Sequence, residues 1–334
     1  MTGQSIVINR AMFDKGLVSD ELAELNASIV AFQKTRPSPW DFPEEVVRAA
    51  RREGKGVFPP VAPDPDAITR SVRGRDGFEI PVRILMPAGG KPRGTYLHIH
   101  GGGWVFGEAV ESDAALRRLA DATGLATVSV DYRLAPEHPF PAAPDDCEDA
   151  ALALVRGEIE GAPTDFLAIG GESAGAHLSV LTLLRLRDGH RLVPFSAANL
   201  NAGCYDLSLT PSVRNAGEER LVLNTEDIKE FVMRFVPEAF SLRDPAISPL
   251  YADLSGLPPA LFTVGTQDLL LDDSVFMAAR WMAAGNRSEL SVWTGGCHVF
   301  QAFGRKAGET SLSEMSKFIG GIADVALAGS AAAR

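Results

Sequence analysis

The sequence predicts an α/β fold in which a mostly parallel sheet has helices on both faces and a helical cap. From about residue 95 onward, short apolar segments alternate with segments of helical periodicity, the pattern of parallel strands joined by helices. Earlier, segments 68–72 and 78–86 flank the turn sequence Arg75-Asp76-Gly77, which predicts an antiparallel hairpin. With 334 residues, 46% of them apolar, the chain can form two domains or one large domain carrying an insertion.

The alternating segments predict about eight strands and five helices in this sheet domain. Gly, Pro, Ser or Asp residues open or close each helical segment, as expected at helix ends. The predicted strands are 68–72, 78–86, 95–100, 126–130, 166–169, 195–200, 260–264 and 289–293. The predicted helices are 111–122, 142–156, 174–187, 273–284 and 309–327.

The first 55 residues do not follow this alternation and are predicted to form the N-terminal part of the helical cap. A helix is expected after Ser19, with one apolar stripe made of Leu22, Leu25, Ile29 and Phe32. A second helix is expected after Asp41, because Glu44 three residues later completes a capping box and Gly54 can end the helix. Neither helix leads into a strand.

The segment 203–240 is longer than a simple crossover requires and is predicted to be the inserted part of the cap. It contains a one-sided apolar helix built on Ile228, Phe231, Val232 and Phe235. We expect both cap parts to lie over the carboxyl edge of the sheet, where open α/β folds bind ligands. Residues 56–202 and 241–334 then form the catalytic sheet domain.

The strongest local motif is Gly171-Glu172-Ser173-Ala174-Gly175, a G-x-S-x-G sequence between a predicted strand and a predicted helix. A nucleophilic serine on such a sharp turn needs small neighbours, and the helix N-terminus behind it favours developing negative charge. The alternative is a loop that merely uses glycine. The context favours Ser173 as a nucleophile.

A second motif, His100-Gly101-Gly102-Gly103-Trp104, follows the strand 95–100. Three consecutive glycines leave backbone N–H groups unobstructed, as an oxyanion hole requires. The alternatives are a flexible tight turn or a phosphate-binding loop. No Lys-Ser/Thr pair follows the glycines and no G-x-G-x-x-G is present, so the spacing of phosphate loops is missing.

A serine nucleophile needs a base, and in this architecture the order along the chain is Ser, Asp or Glu, then His. His298 lies just after the last predicted strand. Of the other two histidines beyond Ser173, His190 lies in a polar turn and His177 lies in the helix after the serine. We expect His177 to pack in the interior, so His298 is the candidate base.

Three carboxylates compete for the acid that orients this base. Asp268 is nearest to the end of the strand 260–264, from which a side chain can reach the site. Asp272 and Asp273 stand where the next helix needs an N-cap. We therefore assign Asp268 to the catalytic group, and the later pair to capping or to supporting hydrogen bonds.

Taken together, these motifs resemble the microbial hormone-sensitive lipase family of carboxylesterases, over roughly residues 70–330. The stretches that carry the resemblance are HGGGW at 100–104, VDYRLAPEHPFPAA at 130–143, GESAG at 171–175, LPPA at 257–260, DLLLDD at 268–273 and His298. The resemblance implies an α/β-hydrolase fold with a two-part helical cap. It also implies that Ser173 is the nucleophile, His298 the base and Asp268 the acid.

By the same resemblance, the N–H groups of Gly102, Gly103 and Ala174 form the oxyanion hole. The chain departs from the family pattern at four positions, which are Glu172, Leu269, Leu271 and Val299. In the family these positions usually hold Asp or Thr, Pro, Arg and Gly. None of the departures removes a catalytic group, but they can change the pocket's shape and the start of the following helix.

The expected activity is hydrolysis of short- to medium-chain acyl esters through an acyl-serine intermediate, without metal or organic cofactor. The expected partner is a small-molecule ester. Amides, carbamates, lactones and formyl compounds are alternatives, because the same groups can attack all of them. A non-catalytic receptor is a further alternative, since the gibberellin receptors resemble this family but lack the catalytic histidine, which this chain retains. A scaffold protein would leave the glycine loop and the serine motif unexplained.

The aromatic side chains of the cap and of the glycine loop are candidates for the substrate pocket. They are Trp104, Phe106, Phe32, Trp40 and Phe231. The alternative is that these side chains pack the cap against the core, which is the commoner role of such stripes.

Charge and cysteine content exclude several other classes of protein. The net charge of −11 disfavours nucleic acid as a partner, and no apolar run approaches the ~18 residues of a membrane span. The N-terminus has no signal-peptide pattern. Three scattered cysteines, Cys147, Cys204 and Cys297, lack metal-site spacing and indicate a reduced, cytoplasmic protein. The resemblance makes a homodimer through segment 289–293 and the last helix plausible.

Overall fold

A computed structural model of the chain describes residues 6–332, and its centre is one eight-stranded sheet. The strand order is β1-β2-β4-β3-β5-β6-β7-β8. β1 and β2 are antiparallel to each other, β2 is antiparallel to β4, and every other neighbouring pair is parallel. The strands are β1 Ile68–Arg73, β2 Glu79–Leu85, β3 Thr95–Ile99, β4 Ala126–Val130, β5 Leu167–Glu172, β6 Ala197–Asn201, β7 Ala260–Gly265 and β8 Ser288–Trp293. The predicted strands and the mostly parallel sheet are confirmed.

The predicted hairpin at the start of the sheet is also confirmed. Arg73 pairs with Glu79 across the turn, and Gly77 has a positive φ of 86°, which a glycine adopts without steric cost. The Asp76 carboxylate accepts a hydrogen bond from the Phe78 N–H at 3.0 Å. This short-range turn chemistry fixes the register of the two strands.

Nine α-helices lie within residues 6–332. They are α1 Asp20–Lys34, α2 Glu44–Arg52, α3 Asp113–Thr123, α4 Ala142–Val155, α5 Ala174–His190, α6 Pro211–Arg214, α7 Thr225–Phe235, α8 Leu271–Ala283 and α9 Lys306–Ala332. Helices α3 and α9 pack on one face of the sheet, and α4, α5 and α8 pack on the other. The five helices predicted for the sheet domain are confirmed, with ends that differ by a few residues.

Helix α1 begins as predicted, with the Ser19 hydroxyl accepting the Leu22 N–H at 3.4 Å. The capping box predicted at Asp41 and Glu44 is wrong. Helix α2 begins at Glu44 after Pro43, which offers no side-chain cap. The capping box forms one turn earlier, between Ser38 and Asp41 around a short 3-10 turn. Pro43 biases Phe42, the residue before it, away from helical geometry, so the helix cannot start directly after Asp41.

The inserted segment contains the predicted one-sided helix, α7. Asn224 and Asp227 form a reciprocal capping box at its start, with both hydrogen bonds at 2.9 Å. The buried side of α7 consists of the predicted residues Ile228, Phe231, Val232 and Phe235 together with Asp227. A capped amphipathic helix can therefore form here without a strand on either side.

The two predicted parts of the cap contact each other. Trp40 Nε1 donates to the Asp227 carboxylate at 2.8 Å, and Gln33 Nε2 donates to the Val222 carbonyl at 3.1 Å. Phe235 of α7 stacks on Trp104, with ring centroids 4.7 Å apart, so the insertion lies against the glycine loop after β3. The division into a cap of 1–55 plus 203–240 stays a prediction, and its first five residues lie outside the described part of the chain.

Candidate active site

Ser173 occupies a sharp turn between β5 and α5. Its backbone has φ 56° and ψ −121°, a conformation that is costly for a residue with a side chain and is concentrated at functional sites. A Cβ on Gly175 would overlap the carbonyl oxygen of Ile99 in β3, so the turn passes too close to the strand for a larger residue. The strained turn holds the Ser173 hydroxyl at the carboxyl edge of the sheet.

The structure brings Ser173, His298 and Asp268 together. The Ser173 Oγ lies 3.0 Å from His298 Nε2, and His298 Nδ1 lies 2.9 Å from Asp268 Oδ2 and 3.1 Å from Oδ1. Asp268 follows β7, His298 follows β8, and all three side chains are buried. A carboxylate only accepts, so Nδ1 carries the proton and Nε2 is free to accept the Ser173 proton.

The glycine loop after β3 presents unused donors beside Ser173. Within residues 6–332, the N–H groups of Gly102 and Gly103 donate to no protein atom, whereas the Gly101 N–H donates to Glu172 Oε1 at 2.6 Å. As the first residue of α5, Ala174 has no intrahelical acceptor for its N–H. The three N–H groups expected in the oxyanion hole are thus available, and Gly101 has another role.

Glu172, one of the departures from the family pattern, connects the glycine loop to the strand beside it. Besides the Gly101 N–H, its carboxylate binds His98 Nε2 at 2.9 Å. Burial alone would raise the pKa of Glu172, but the interactions with His98, the Gly101 N–H and His100 together outweigh burial and lower the pKa below its ordinary value. The longer carboxylate therefore fixes the start of the glycine loop.

The other three departures affect the surroundings of the site. Leu269 is buried, and Leu271 is the first residue of α8. Val299 lines the pocket and has a φ of 50°, a region where a β-branched side chain is strained. The backbone at Val299 is thus left-handed, although the glycine that the family usually has at this position is replaced by a β-branched residue.

The predicted helix-capping role of Asp272 and Asp273 is wrong. Helix α8 begins at Leu271, before either residue, with no side-chain cap. Asp273 instead accepts the Tyr205 N–H at 2.7 Å, and Asp272 accepts the Ser212 N–H at 2.8 Å. Both carboxylates therefore hold the segment that enters the insertion, which is the supporting role that was the alternative to capping.

A cavity of about 470 Å³ opens onto Ser173, His298 and the glycine loop. Of the five aromatic candidates, Trp104 and Phe231 line it. The other three, Phe32, Trp40 and Phe106, are not among its lining residues. Trp40 instead packs between Phe106 and Phe231, with ring centroids 5.5 and 4.8 Å away, and so supports the wall from behind.

Part of the cavity wall was not predicted. It comes from the segment between α2 and β1 and from the 3-10 turn after His298, and its members are Phe58, Pro59, Pro60, Val61 and Phe303. The run Phe58-Pro59-Pro60 was a usable signal, because apolar residues with two prolines in a connection are conformationally restricted. The wall is predominantly apolar, as is common for small-molecule pockets.

His177 is a packing residue, as expected. Trp104 Nε1 donates to its Nδ1 at 3.1 Å, so the ring proton is on Nε2 and is donated to the Ile247 carbonyl at 2.7 Å. Burial lowers the pKa of His177 to about 4. Protonation of Nδ1 would also break the hydrogen bond to Trp104.

We expect His177 to make the protein acid-sensitive. Its folded pKa of about 4 lies below the ordinary 6.5, so stability is fully present above pH 6.5 and is lost as pH falls towards 4. The difference corresponds to about 3 kcal/mol. Urea unfolding across this pH range should show a steeper loss for the wild type than for His177→Gln. The exposed His138→Gln should behave as the wild type does, and equal slopes in all three proteins would contradict the assignment.

Within residues 6–332, no group of three or more His, Cys, Asp or Glu side chains is arranged to hold a metal ion. In the same part of the chain, no helix has the length and hydropathy needed to cross a membrane.

Comparison with known proteins adds independent findings. Residues 96–302 match a family model described as alpha/beta hydrolase fold. The chain is 36% identical over 257 residues to carboxylesterase NlhH of Mycobacterium tuberculosis, covering 74% of this chain and 79% of the relative. It is 35% identical over 208 residues to an esterase of Acinetobacter venetianus, covering 62% of this chain and 67% of the relative.

Solved structures agree with the sequence matches. A hyperthermophilic esterase from the archaeon Pyrobaculum calidifontis superposes with a TM-score of 0.81 at 29% identity. The superposition covers 92% of this chain and 99% of the esterase. The similarity therefore includes nearly all of both chains.

Proposed function

Since the chain belongs to the hormone-sensitive lipase-like family of α/β hydrolases and is a carboxylic ester hydrolase, we propose that it cleaves short- to medium-chain acyl esters with Ser173 as nucleophile, His298 as base and Asp268 as acid. The observation that carries this proposal is the hydrogen-bonded series from Asp268 through His298 to the Ser173 hydroxyl at 3.0 Å, facing a mostly apolar cavity.

In the acylation step, His298 Nε2 takes the hydroxyl proton while Ser173 Oγ attacks the ester carbonyl carbon. Asp268 keeps the Nδ1 proton in place and stabilises the imidazolium that forms. The C–O bond to the alcohol breaks, and the alcohol leaves with the proton from Nε2. The acyl group remains on Ser173.

The tetrahedral oxyanion forms beside the glycine loop. The N–H groups of Gly102, Gly103 and Ala174 are assigned to it, because they are available donors next to Ser173. Donors held in place by the fold stabilise the developing charge without reorganisation, and losing one typically costs about 10² to 10³ in turnover. Glu172 holds Gly101 and thereby positions the loop.

The cavity's size and lining support the assigned substrate class. A volume of about 470 Å³ lies in the range of pockets for small molecules. Phe58, Phe231 and Phe303 offer apolar surface to an acyl chain, whereas a long chain would extend beyond the cavity.

We expect p-nitrophenyl esters from acetyl to octanoyl to be hydrolysed, with kcat/KM falling steeply by palmitoyl because the long chain leaves the cavity. A fluorophosphonate should inactivate the enzyme and label the peptide that contains Ser173, as shown by mass spectrometry. Labelling of another serine would contradict the nucleophile assignment. Equal kcat/KM for palmitoyl and butyryl esters would contradict the substrate class.

A further inference from the structure

A series of hydrogen bonds crosses three neighbouring strands of the sheet and ends on the glycine loop. Ser129 Oγ of β4 lies 2.8 Å from His98 Nδ1 of β3, and His98 Nε2 lies 2.9 Å from Glu172 Oε2 at the end of β5. Glu172 Oε1 accepts the Gly101 N–H at 2.6 Å. Three side chains therefore connect the centre of the sheet to the loop.

Glu172 joins the nucleophile turn to the loop that carries the oxyanion donors. It directly precedes Ser173, and its carboxylate holds Gly101, which directly precedes Gly102 and Gly103. A Cβ on Gly101 would lie 2.9 Å from the Glu172 carbonyl oxygen, so the turn and the loop pass close to each other. An oxyanion hole requires donors at hydrogen-bonding distance from the oxygen that forms. A shift of the loop relative to Ser173 therefore weakens the hole while the nucleophile stays intact.

The carboxylate of Glu172 needs a second contact to hold this spacing. A glutamate side chain has three torsions and loses much rotamer freedom when it is fixed. His98 binds the second carboxylate oxygen, and its own ring is buried and held by Ser129. Without His98, a half-buried ionised carboxylate would lose a partner, which favours rotation towards water.

His98 is not a second base for Ser173, because both of its ring nitrogens are engaged. Nε2 donates to the Glu172 carboxylate, which only accepts, and Nδ1 is bonded to Ser129. Neither nitrogen is free to take the Ser173 proton. The contribution of His98 to the site therefore passes through Glu172.

We propose that His98 is a positioning residue that sets the geometry of the oxyanion hole through Glu172. This inference rests on the proposed function. An oxyanion forms when Ser173 attacks the ester and again when water attacks the acyl-enzyme, so the hole acts in both steps. Loss of the positioning contact then lowers the rate of each step.

The test is a double-mutant cycle with a conservative variant and a matched control. His98→Phe keeps a planar ring without nitrogens, Glu172→Ala removes the carboxylate, and the double variant removes both. His98→Gln retains an N–H for the carboxylate. His190→Phe is the control, since it breaks another His–Glu hydrogen bond, of 2.7 Å to Glu148, at the end of α5 opposite to Ser173.

We expect His98→Phe and Glu172→Ala each to lower kcat/KM for p-nitrophenyl butyrate roughly tenfold to a hundredfold, somewhat less than the full loss of one oxyanion donor. The double variant should match Glu172→Ala within about threefold, because His98 then has no carboxylate to hold. His98→Gln and His190→Phe should stay within about threefold of the wild type.

A trifluoromethyl butyl ketone supplies the readout that a merely structural role would not move. Ser173 Oγ adds to its carbonyl carbon, His298 takes the hydroxyl proton, and the oxyanion that forms occupies the hole. Its inhibition constant should rise in each variant by the factor by which kcat/KM falls. Affinity for an ether analogue, which forms no oxyanion, should stay within about twofold.

An unchanged kcat/KM and ketone inhibition constant in His98→Phe, with an active wild type, would overturn the positioning role and leave the proposed function standing. Losses that multiply in the double variant would also overturn it, since His98 would then act by another route. An equal loss in His190→Phe, or a His98→Gln protein as impaired as His98→Phe, would do the same.

If His98→Phe does not fold, Ser129→Ala loosens the His98 ring from its other side. It should lower kcat/KM by about threefold, and the loss should vanish in the Glu172→Ala background. No loss in Ser129→Ala, or the same loss in both backgrounds, would overturn the inference. A wild type that hydrolyses no ester would overturn the proposed function and this inference with it.

Discussion

Ser173→Ala is expected to lower kcat/KM for p-nitrophenyl butyrate by roughly 10⁴ to 10⁶, the range seen when a nucleophile that acts with a base is removed. The change removes only the hydroxyl, whose oxygen is hydrogen-bonded to His298 Nε2 at 3.0 Å. The Cβ and the strained backbone at φ 56° remain. Ester binding, measured with a non-hydrolysed ether analogue that has no carbonyl carbon for Ser173 to attack, should therefore change little.

The matched control is Ser179→Ala, which removes a buried hydroxyl from α5, the helix that follows Ser173. Ser179 Oγ donates to the Gly175 carbonyl at 2.8 Å and does not line the cavity. It should retain activity within about threefold. A Ser173→Ala protein that melts like the wild type and still hydrolyses the ester at more than a tenth of its rate would refute Ser173 as the nucleophile.

The strands were predictable because each parallel strand is buried on both faces and forms a short apolar run. Segment 126–130 was predicted with the bounds that the structure shows. The turn at Gly77 and the cap at Ser19 were also predictable, since both depend on residues within a few positions of each other. Sequence patterns therefore predict a turn or a helix cap correctly when the hydrogen-bonding partners lie within a few residues of each other.

The same rules failed where the partner comes from a distant part of the chain. Asp272 and Asp273 satisfied the pattern for a helix cap, but backbone N–H groups of the insertion some 60 residues away bind them instead. An apolar stripe shows that Phe32 and Trp40 face other groups, but not whether those groups are substrate or protein. The wall at Phe303 depends on how the chain turns after β8, which no local pattern encodes.

The candidate site was accessible from the sequence for a different reason. Its residues follow strand ends, and the carboxyl ends of parallel strands meet at one edge, so Asp268 after β7 and His298 after β8 were expected near Ser173. The structure places the three side chains within hydrogen-bonding distance. Their catalytic roles stay a prediction, which the variants at Ser173 and Asp268 test.

We expect Asp268→Asn to lower kcat by about 10⁴ with KM nearly unchanged, the size of effect found when the orienting carboxylate of a Ser-His-Asp triad becomes an amide. Asp268 Oδ1 accepts the Leu270 N–H at 2.9 Å, which keeps an oxygen at that position in the variant. The amide nitrogen must then occupy the Oδ2 position, 2.9 Å from His298 Nδ1. An N–H aimed at Nδ1 forces the imidazole proton onto Nε2.

That tautomer presents a donor to Ser173, so the base has no lone pair for the hydroxyl proton. Asp272→Asn is the matched control, because its carboxylate accepts the Ser212 N–H at 2.8 Å, away from His298. It should keep kcat within about threefold. A merely structural role for Asp268 would lower the melting temperature along with kcat.

The pH profile of Asp268→Asn gives a second readout. Hydroxide can take the Ser173 hydroxyl proton without the imidazole, so the variant's rate should continue to rise at alkaline pH where the wild type's rate is level. A variant whose rate stays within tenfold of the wild type across pH would show that Asp268 does not orient the base.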